Sequence, residues 1–152
     1  MRVSELMSRS VVTIERSDSC HEAVARMCRA RIRHLLVVDG TGRLVGIVTD
    51  RDLRHHLFSA GVFKAIGATS VETMLKAVPV SEIMSAPVVS VSPSDDLVDA
   101  ARLMLEDKVG SLPVVQGGHV VGMLTETDML RQIVKVDSCC CPDVETIVVS
   151  YP

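Results

Sequence analysis

Aromatic side chains are almost missing from this 152-residue chain: Phe58, Phe63 and Tyr151 are the whole set, and there is no tryptophan. The core must therefore be aliphatic, drawn from Val, Leu, Ile, Met and Ala within the 47% of residues that are hydrophobic. A platform of aromatic rings for stacking nucleic-acid bases is excluded on the same ground. Basic residues are not in excess either. The formal charge is −3, which argues against general attachment to a phosphate backbone, so no nucleic-acid partner is expected. No run of 18 apolar residues is available to span a membrane, and residues 1–5 carry no apolar stretch of an export signal. Cysteines number five, an odd count, so a disulfide framework is not expected and a reducing, cytoplasmic compartment is. There is no nucleophile–base pattern, zinc-ligand spacing or Gly-rich phosphate loop, and an enzyme is the least expected class.

What the chain does have is an internal repeat. Val3-Ser4-Glu5-Leu6-Met7-Ser8 returns 77 residues on as Val80-Ser81-Glu82-Ile83-Met84-Ser85. The register holds through Val11-Val12 and Val88-Val89, Ala23 and Ala100, Met27 and Met104, and Val37-Val38 and Val114-Val115. One residue is then lost in a glycine-containing turn, where a hairpin tolerates a length change. Gly46-Ile47-Val48-Thr49-Asp50-Arg51-Asp52 is matched by Gly122-Met123-Leu124-Thr125-Glu126-Thr127-Asp128. Repeats of this kind are the first thing a fold must accommodate.

Each unit reads in the same order. The β-branched residues Val11–Ile14 and Val88–Val91 predict a short strand. Ser17-Asp18 and Ser94-Asp95 are expected to cap the helix that follows. Cys20, Ala23, Val24, Met27 and Cys28, or Leu97, Ala100, Ala101, Met104 and Leu105, then recur at helical spacing on an inner face. Leu35–Val38 with Leu44–Val48, and Leu112–Val115 with Val120–Leu124, predict a hairpin in each unit. A second helix begins near Asp50 or Glu126, with Leu53 and Leu57, or Met129, Leu130 and Ile133, facing inward. The fold expected is α+β (α/β): two β-α-β-β-α units in pseudo-twofold symmetry, small sheets packed together and helices outside. One unit alone buries too little surface to be stable. The expected divisions are 1–58, a connector 59–79 with a short helix around Val71–Ala77 capped by Ser70, 80–134, and a tail 135–152. Within the tail, Val144–Val149 has strand composition.

A strand that runs straight into a helix N-terminus is a common place to hold an anion. Thr49 and Asp52, and Thr125 and Asp128, lie three apart across such a helix start, on one face of the first turn. An ionised aspartate can accept hydrogen bonds from both hydroxyls of a ribose, and the threonine with the free amides can meet a phosphate. The same Thr-x-x-Asp is also a capping box that stabilises a helix with no ligand at all. The two uses are compatible.

These two copies in register, with Leu35–Asp39 and Leu112–Val115 before them, resemble a CBS-domain pair, the tandem module named after cystathionine β-synthase. The resemblance covers about residues 3–57 and 80–133. It implies a regulatory rather than catalytic protein, with no obligatory cofactor, that binds AMP, ADP, ATP or S-adenosylmethionine in clefts between the repeats. It further implies a homodimer, with signalling through that dimer or to a separate protein partner. Each site would join the Thr and Asp of one repeat to the first strands of the other: Thr125 and Asp128 with Ser10, Val12, Arg33, His34 and Leu35; Thr49 and Asp52 with Pro87, Val89, Gly110, Ser111 and Leu112. In the family a basic pair at the Arg33-His34 position meets phosphates. The second repeat has Gly110-Ser111 there, so the two clefts are expected to differ. Two rivals stand beside this reading: a ligand-free dimerisation platform, and a thiol or metal sensor using Cys139-Cys140-Cys141. Against the latter, adjacent side chains diverge and no partner cluster has zinc-like spacing.

Overall fold

The computed structural model describes residues 1–57 and 71–137. Its elements are α1 (Val3–Leu6), β1 (Thr13–Glu15), α2 (Cys20–Ala30), β2 (His34–Val38), β3 (Leu44–Thr49), α3 (Asp50–Leu57), α4 (Val71–Ala77), a 3₁₀ turn (Val80–Glu82), α5 (Leu97–Asp107), β4 (Ser111–Gln116), β5 (His119–Thr125) and α6 (Glu126–Asp137). The helix expected around Val71–Ala77 is α4. Ser70, the Cys139–Cys141 cluster and the Val144–Val149 segment lie outside the described residues.

The repeat units meet the expected order with one difference. In the first, β1 pairs parallel with β2, and β2 pairs antiparallel with β3. In the second, β4 and β5 form the hairpin, but the strand expected at Val88–Val91 shrinks to a single parallel bridge between Val91 and Val114. Pro113 supplies the reason. Its carbonyl accepts the Val91 amide at 3.0 Å, but it has no N–H with which to carry the pairing back toward Val89.

The helix caps also fall later than expected. Ser19 Oγ accepts the Glu22 amide at 3.2 Å, and Asp96 Oδ1 accepts the Val98 amide at 2.8 Å. Asp18 and Asp95 instead close the preceding loops, accepting the amides of Glu15 (3.2 Å) and Ser92 (2.7 Å). Both helices end in a left-handed residue that is not glycine, Arg31 (φ 54°) and Lys108 (φ 53°), at matched positions of the repeat. Cys20, Ala23 and Met27 are buried on α2 as the spacing predicted, as are Ala100 and Met104 on α5. Cys28 and Leu105, placed on the inner face by the same spacing, are exposed. Each follows the buried Met27 or Met104 by one position, about 100° round the helix, and so turns away from the core. Burial pushes the Cys20 thiol up to about 11, with Glu82 adding to the effect, so it is an inert packing group.

Two aliphatic cores form, one under each repeat, and each is completed by the segment that opens the other repeat. Val80 is fully buried in the core of Ile14, Ala23, Leu35, Val37 and Val48. Val3 is fully buried in the core of Val91, Ala100, Leu112, Val114 and Leu124. The exchange continues through the backbone. Ser8 and Met123 bond each other amide to carbonyl, both at 2.9 Å, and Ser85 and Ile47 do the same at 2.8 and 3.1 Å.

This crossing explains the glycine that opens each motif. A Cβ on Gly122 would sit 2.7 Å from Met7 Sδ and 2.9 Å from the Ser8 carbonyl oxygen. On Gly46 it would meet Met84 Sδ at 2.6 Å but the Ser85 carbonyl only at 3.3 Å. A thioether can swing aside, whereas a carbonyl held in a bridge cannot. Gly122→Ala is therefore expected to cost about 1–3 kcal/mol, as overpacking does, and Gly46→Ala less. Denaturant unfolding of the two variants side by side checks the order, and equal losses would contradict it.

Candidate functional site

Each hairpin ends at the threonine and passes into a helix without an intervening loop. Thr49 closes β3, and its hydroxyl and amide both donate to Asp52 Oδ2, at 2.7 and 2.9 Å. The Asp52 amide donates back to Thr49 Oγ1 at 3.1 Å. Thr125 and Asp128 repeat the arrangement at 2.6, 3.0 and 3.2 Å. The capping box is thus formed in both copies. It uses only one carboxylate oxygen, so the second oxygen, Oδ1, is not part of it. In the second repeat Oδ1 lies 3.9 Å from the exposed guanidinium of Arg131. The helix starts are also tied to the segments before the opposite strands: the Asp50 amide donates to the Arg33 carbonyl and the Glu126 amide to the Gly110 carbonyl, both at 3.1 Å.

A cleft of about 180 Å³ opens between the repeats at the Thr125 end. Ser10, Val12 and His34 form one side of it, and Thr125 and Asp128 the other. Five of the seven residues named from sequence for this cleft therefore line it together. Leu35 does not: it is fully buried in the first core. Alternate residues of a strand face opposite ways, so His34 and Leu36 turn to the cleft while Leu35 and Val37 turn inward. Arg33 is exposed and outside the lining. Sequence reasoning missed Ser8, Val11, Ile32, Leu36 and Met123, which also line the cleft. The two-residue alternation along β2 could have found Leu36. Ser8 and Met123 arrive through the exchanged bridge, which no local pattern announces.

The other cleft is not its equal. Thr49 and Asp52 make their box, but Ser111, at the position of His34, is buried, and Leu112 after it is fully buried in the second core. Pro87 lines a separate depression of about 300 Å³ with Leu44, Val45 and Val115, and Val89 is exposed. Neither of these two cavities gathers Thr49 and Asp52 with Pro87, Val89 and Ser111.

His34 is the titratable group that distinguishes the Thr125 cleft. Burial holds its imidazole below the ordinary 6.5, and the neighbouring Arg33 guanidinium adds to this. Asp50, Asp52 and Glu126, carboxylates from both repeats, pull the other way without overcoming it. Among the described residues no group of three or more His, Cys, Asp or Glu side chains could hold a metal ion. No helix among them is long and apolar enough to cross a membrane.

The geometry defines a class: a tandem of two strand-helix units locked together by exchange of their leading segments, with a small-molecule-sized cleft where they meet. The CBS domain model matches residues 3–59 and 80–135, and the chain belongs to the CBS domain family. A CBS domain-containing protein of Dictyostelium discoideum is 36% identical over 135 residues, covering 88% of this chain and 92% of its own length. A protein of Methanocaldococcus jannaschii, MJ1404, is also 36% identical, over 138 residues. That match covers 87% of this chain but only 32% of the longer relative. Among solved structures, CBSX2 in complex with AMP superposes with a TM-score of 0.73 at 29% identity, covering 90% of this chain and 98% of that one.

The His34 shift has a definite sign. The folded state favours the neutral ring, so its contribution is fully present above the ordinary value of 6.5. It is lost as pH falls through that value toward the lowered one, because the unfolded chain takes up the proton first. His34→Gln is expected to lose less stability on acidification than the parent. Melting temperatures measured on both sides of 6.5 check this, and parallel curves for the two proteins would refute it.

Proposed function

We propose that this protein is a regulatory module that binds an adenosine compound in the cleft between its repeats. The observation that carries the reading is the shared lining: Ser10, Val12 and His34 of one repeat face Thr125 and Asp128 of the other. Asp128 offers its outer oxygen to the ribose hydroxyls while its inner oxygen keeps the helix capped. The aliphatic residues Val12, Ile32 and Leu36 give a purine an apolar slot. His34, in the same lining, is the group we assign to a 5′ substituent. Binding of AMP by CBSX2, a structure at 29% identity, supports the ligand class. The module regulates rather than catalyses, and its output passes through contacts with other chains.

A dimer is the first such contact. The sequence placed Leu130 and Ile133 on the inner face of α6, yet they are 62% and 61% exposed, with Val134 beside them. The helix rolls Met129 toward the core and leaves this apolar stripe outside. We assign the stripe to pairing with a second copy. Ile133→Asp is expected to shift sedimentation from dimer toward monomer while leaving the melting transition cooperative. An unchanged sedimentation coefficient would count against it.

Thermal unfolding of ligand-stripped protein with AMP, ADP, ATP, S-adenosylmethionine and GMP tests the ligand. At 100 times its Kd, a ligand stabilises by about 2.7 kcal/mol, a shift of about 5–10 °C for a chain of this size. One or more adenosine compounds are expected to give that shift, and GMP none. Removing the threonine and the aspartate together would also strip the cap from α6, at about 1 kcal/mol. Asp128→Asn is the cleaner variant, since its carbonyl oxygen still accepts the Thr125 bonds. It is expected to weaken binding about ten- to a hundredfold. A flat panel would leave the ligand-free dimer platform as the better account.

A further inference from the structure

The cleft at Thr125 is poor in the groups that hold a phosphate. Among the described residues that line it none is Lys or Arg. Asp128 brings a carboxylate, and Ser8, Ser10 and Thr125 bring hydroxyls without charge. The imidazole of His34 could carry a positive charge there, but burial keeps it neutral at neutral pH. Three carboxylates bear on that same ring. Asp50 adjoins it through the bond from its amide to the Arg33 carbonyl, and Asp52 and Glu126 act on it from the starts of α3 and α6.

The helix N-terminus, the usual alternative, is already occupied. Of the four amides from Thr125 to Asp128, three are bonded within the protein. The Thr125 amide donates to Asp128 Oδ2 at 3.0 Å, the Glu126 amide to the Gly110 carbonyl at 3.1 Å, and the Asp128 amide to Thr125 Oγ1 at 3.2 Å. The Thr125 hydroxyl itself donates to Oδ2 at 2.6 Å. An anion could recruit these donors only by breaking the capping box. The Asp128 carboxylate also balances the helix dipole that would draw an anion in.

Arg9, Arg33 and Arg131 stand near the cleft in chain or space, but all three are exposed and outside the lining. Arg131 lies 3.9 Å from Asp128 Oδ1. A phosphate drawn out to them would be held in solvent, where an ion pair contributes little. Outside the described residues the sequence has a single basic side chain, Lys64, against the acidic Asp143 and Glu145.

Resting on the reading of this cleft as an adenosine site, we propose that the ligand it selects carries no negative charge on its 5′ substituent, and that nucleoside phosphates are disfavoured. Adenosine itself meets that condition, as does S-adenosylmethionine, whose sulfur at the 5′ carbon is positive. The Asp128 carboxylate then has two effects. Its outer oxygen accepts the ribose hydroxyls that every candidate shares, and its charge repels a phosphate at the adjoining 5′ position.

Isothermal titration calorimetry of the ligand-stripped protein with adenosine, S-adenosylmethionine and AMP tests this. AMP is expected to bind about tenfold more weakly than the better of the other two, the scale of one partly screened like-charge contact. The better of the two names the ligand. Added sodium chloride is expected to tighten AMP and leave adenosine unchanged, because salt screens repulsion. A phosphate held by cations would show the reverse salt dependence. That result, or AMP binding as tightly as the better of the two, would overturn the proposal while the adenosine site itself stands. If no member of the panel binds, the site reading falls and this proposal with it. Ser10→Lys, which sets a cation in the lining, is expected to narrow the gap between AMP and adenosine several-fold. An unchanged gap in a variant that melts like the parent would refute the role given to charge.

Discussion

The two halves are held together by a trade of backbone. Ser8 bonds to Met123 and Ser85 to Ile47, and each trade carries a valine, Val3 or Val80, into the core of the opposite half. Neither core is complete without its foreign valine, so the halves are parts of one domain that share a fold. The cleft follows from the same crossing. Ser8 and Ser10 reach the wall opposite Thr125 because the segment that bears them has been drawn across to β5. The glycines at 46 and 122 are the clearance that the crossing requires.

At the site, one short motif does two tasks by dividing the aspartate. Oδ2 is committed to the threonine in both repeats, and that bond sets the direction in which the helix leaves the strand. The remaining oxygen is then held in place at low entropic cost, since the side chain is already ordered. A floppy carboxylate at the same position would lose conformational freedom on every binding event. The difference between the two clefts comes from their other walls: a partly buried imidazole at position 34 against a small buried hydroxyl at position 111.

Much of this was legible in the residues. The 77-residue register, the hairpins and the Thr-x-x-Asp starts were visible because each depends on local pattern: strand alternation, helical spacing and turn chemistry. What failed did so where a contact distant in sequence decided the matter. Pro113 ends a strand whose own residues, Val88–Val91, have every strand preference. Leu130, Ile133 and Leu105 satisfy a helical period, but the period says only that residues share a face, not that something covers it. Leu35 was placed at the cleft because its neighbours belong there, and the two-residue alternation of β2 sends it to the core. Arg33 was assigned to the cleft by family resemblance, and its side chain lies at the surface outside the lining.

The exchange of leading segments also bears on how the chain is made. The first core draws only on residues between Val12 and Met84, so it can close soon after that stretch has left the ribosome. The second draws on Val3 and Leu6 together with residues out to Met129. The turn that carries Val3 is therefore synthesised well before the core it completes and is among the last of these segments to find its place. Until Met123 emerges, Ser8 has no partner for its backbone, and the apolar side chains of Val3, Leu6 and Met7 remain unburied beside a half that has already folded. Nascent chains in this state are the ones most open to wrong pairing with a neighbour on the same message.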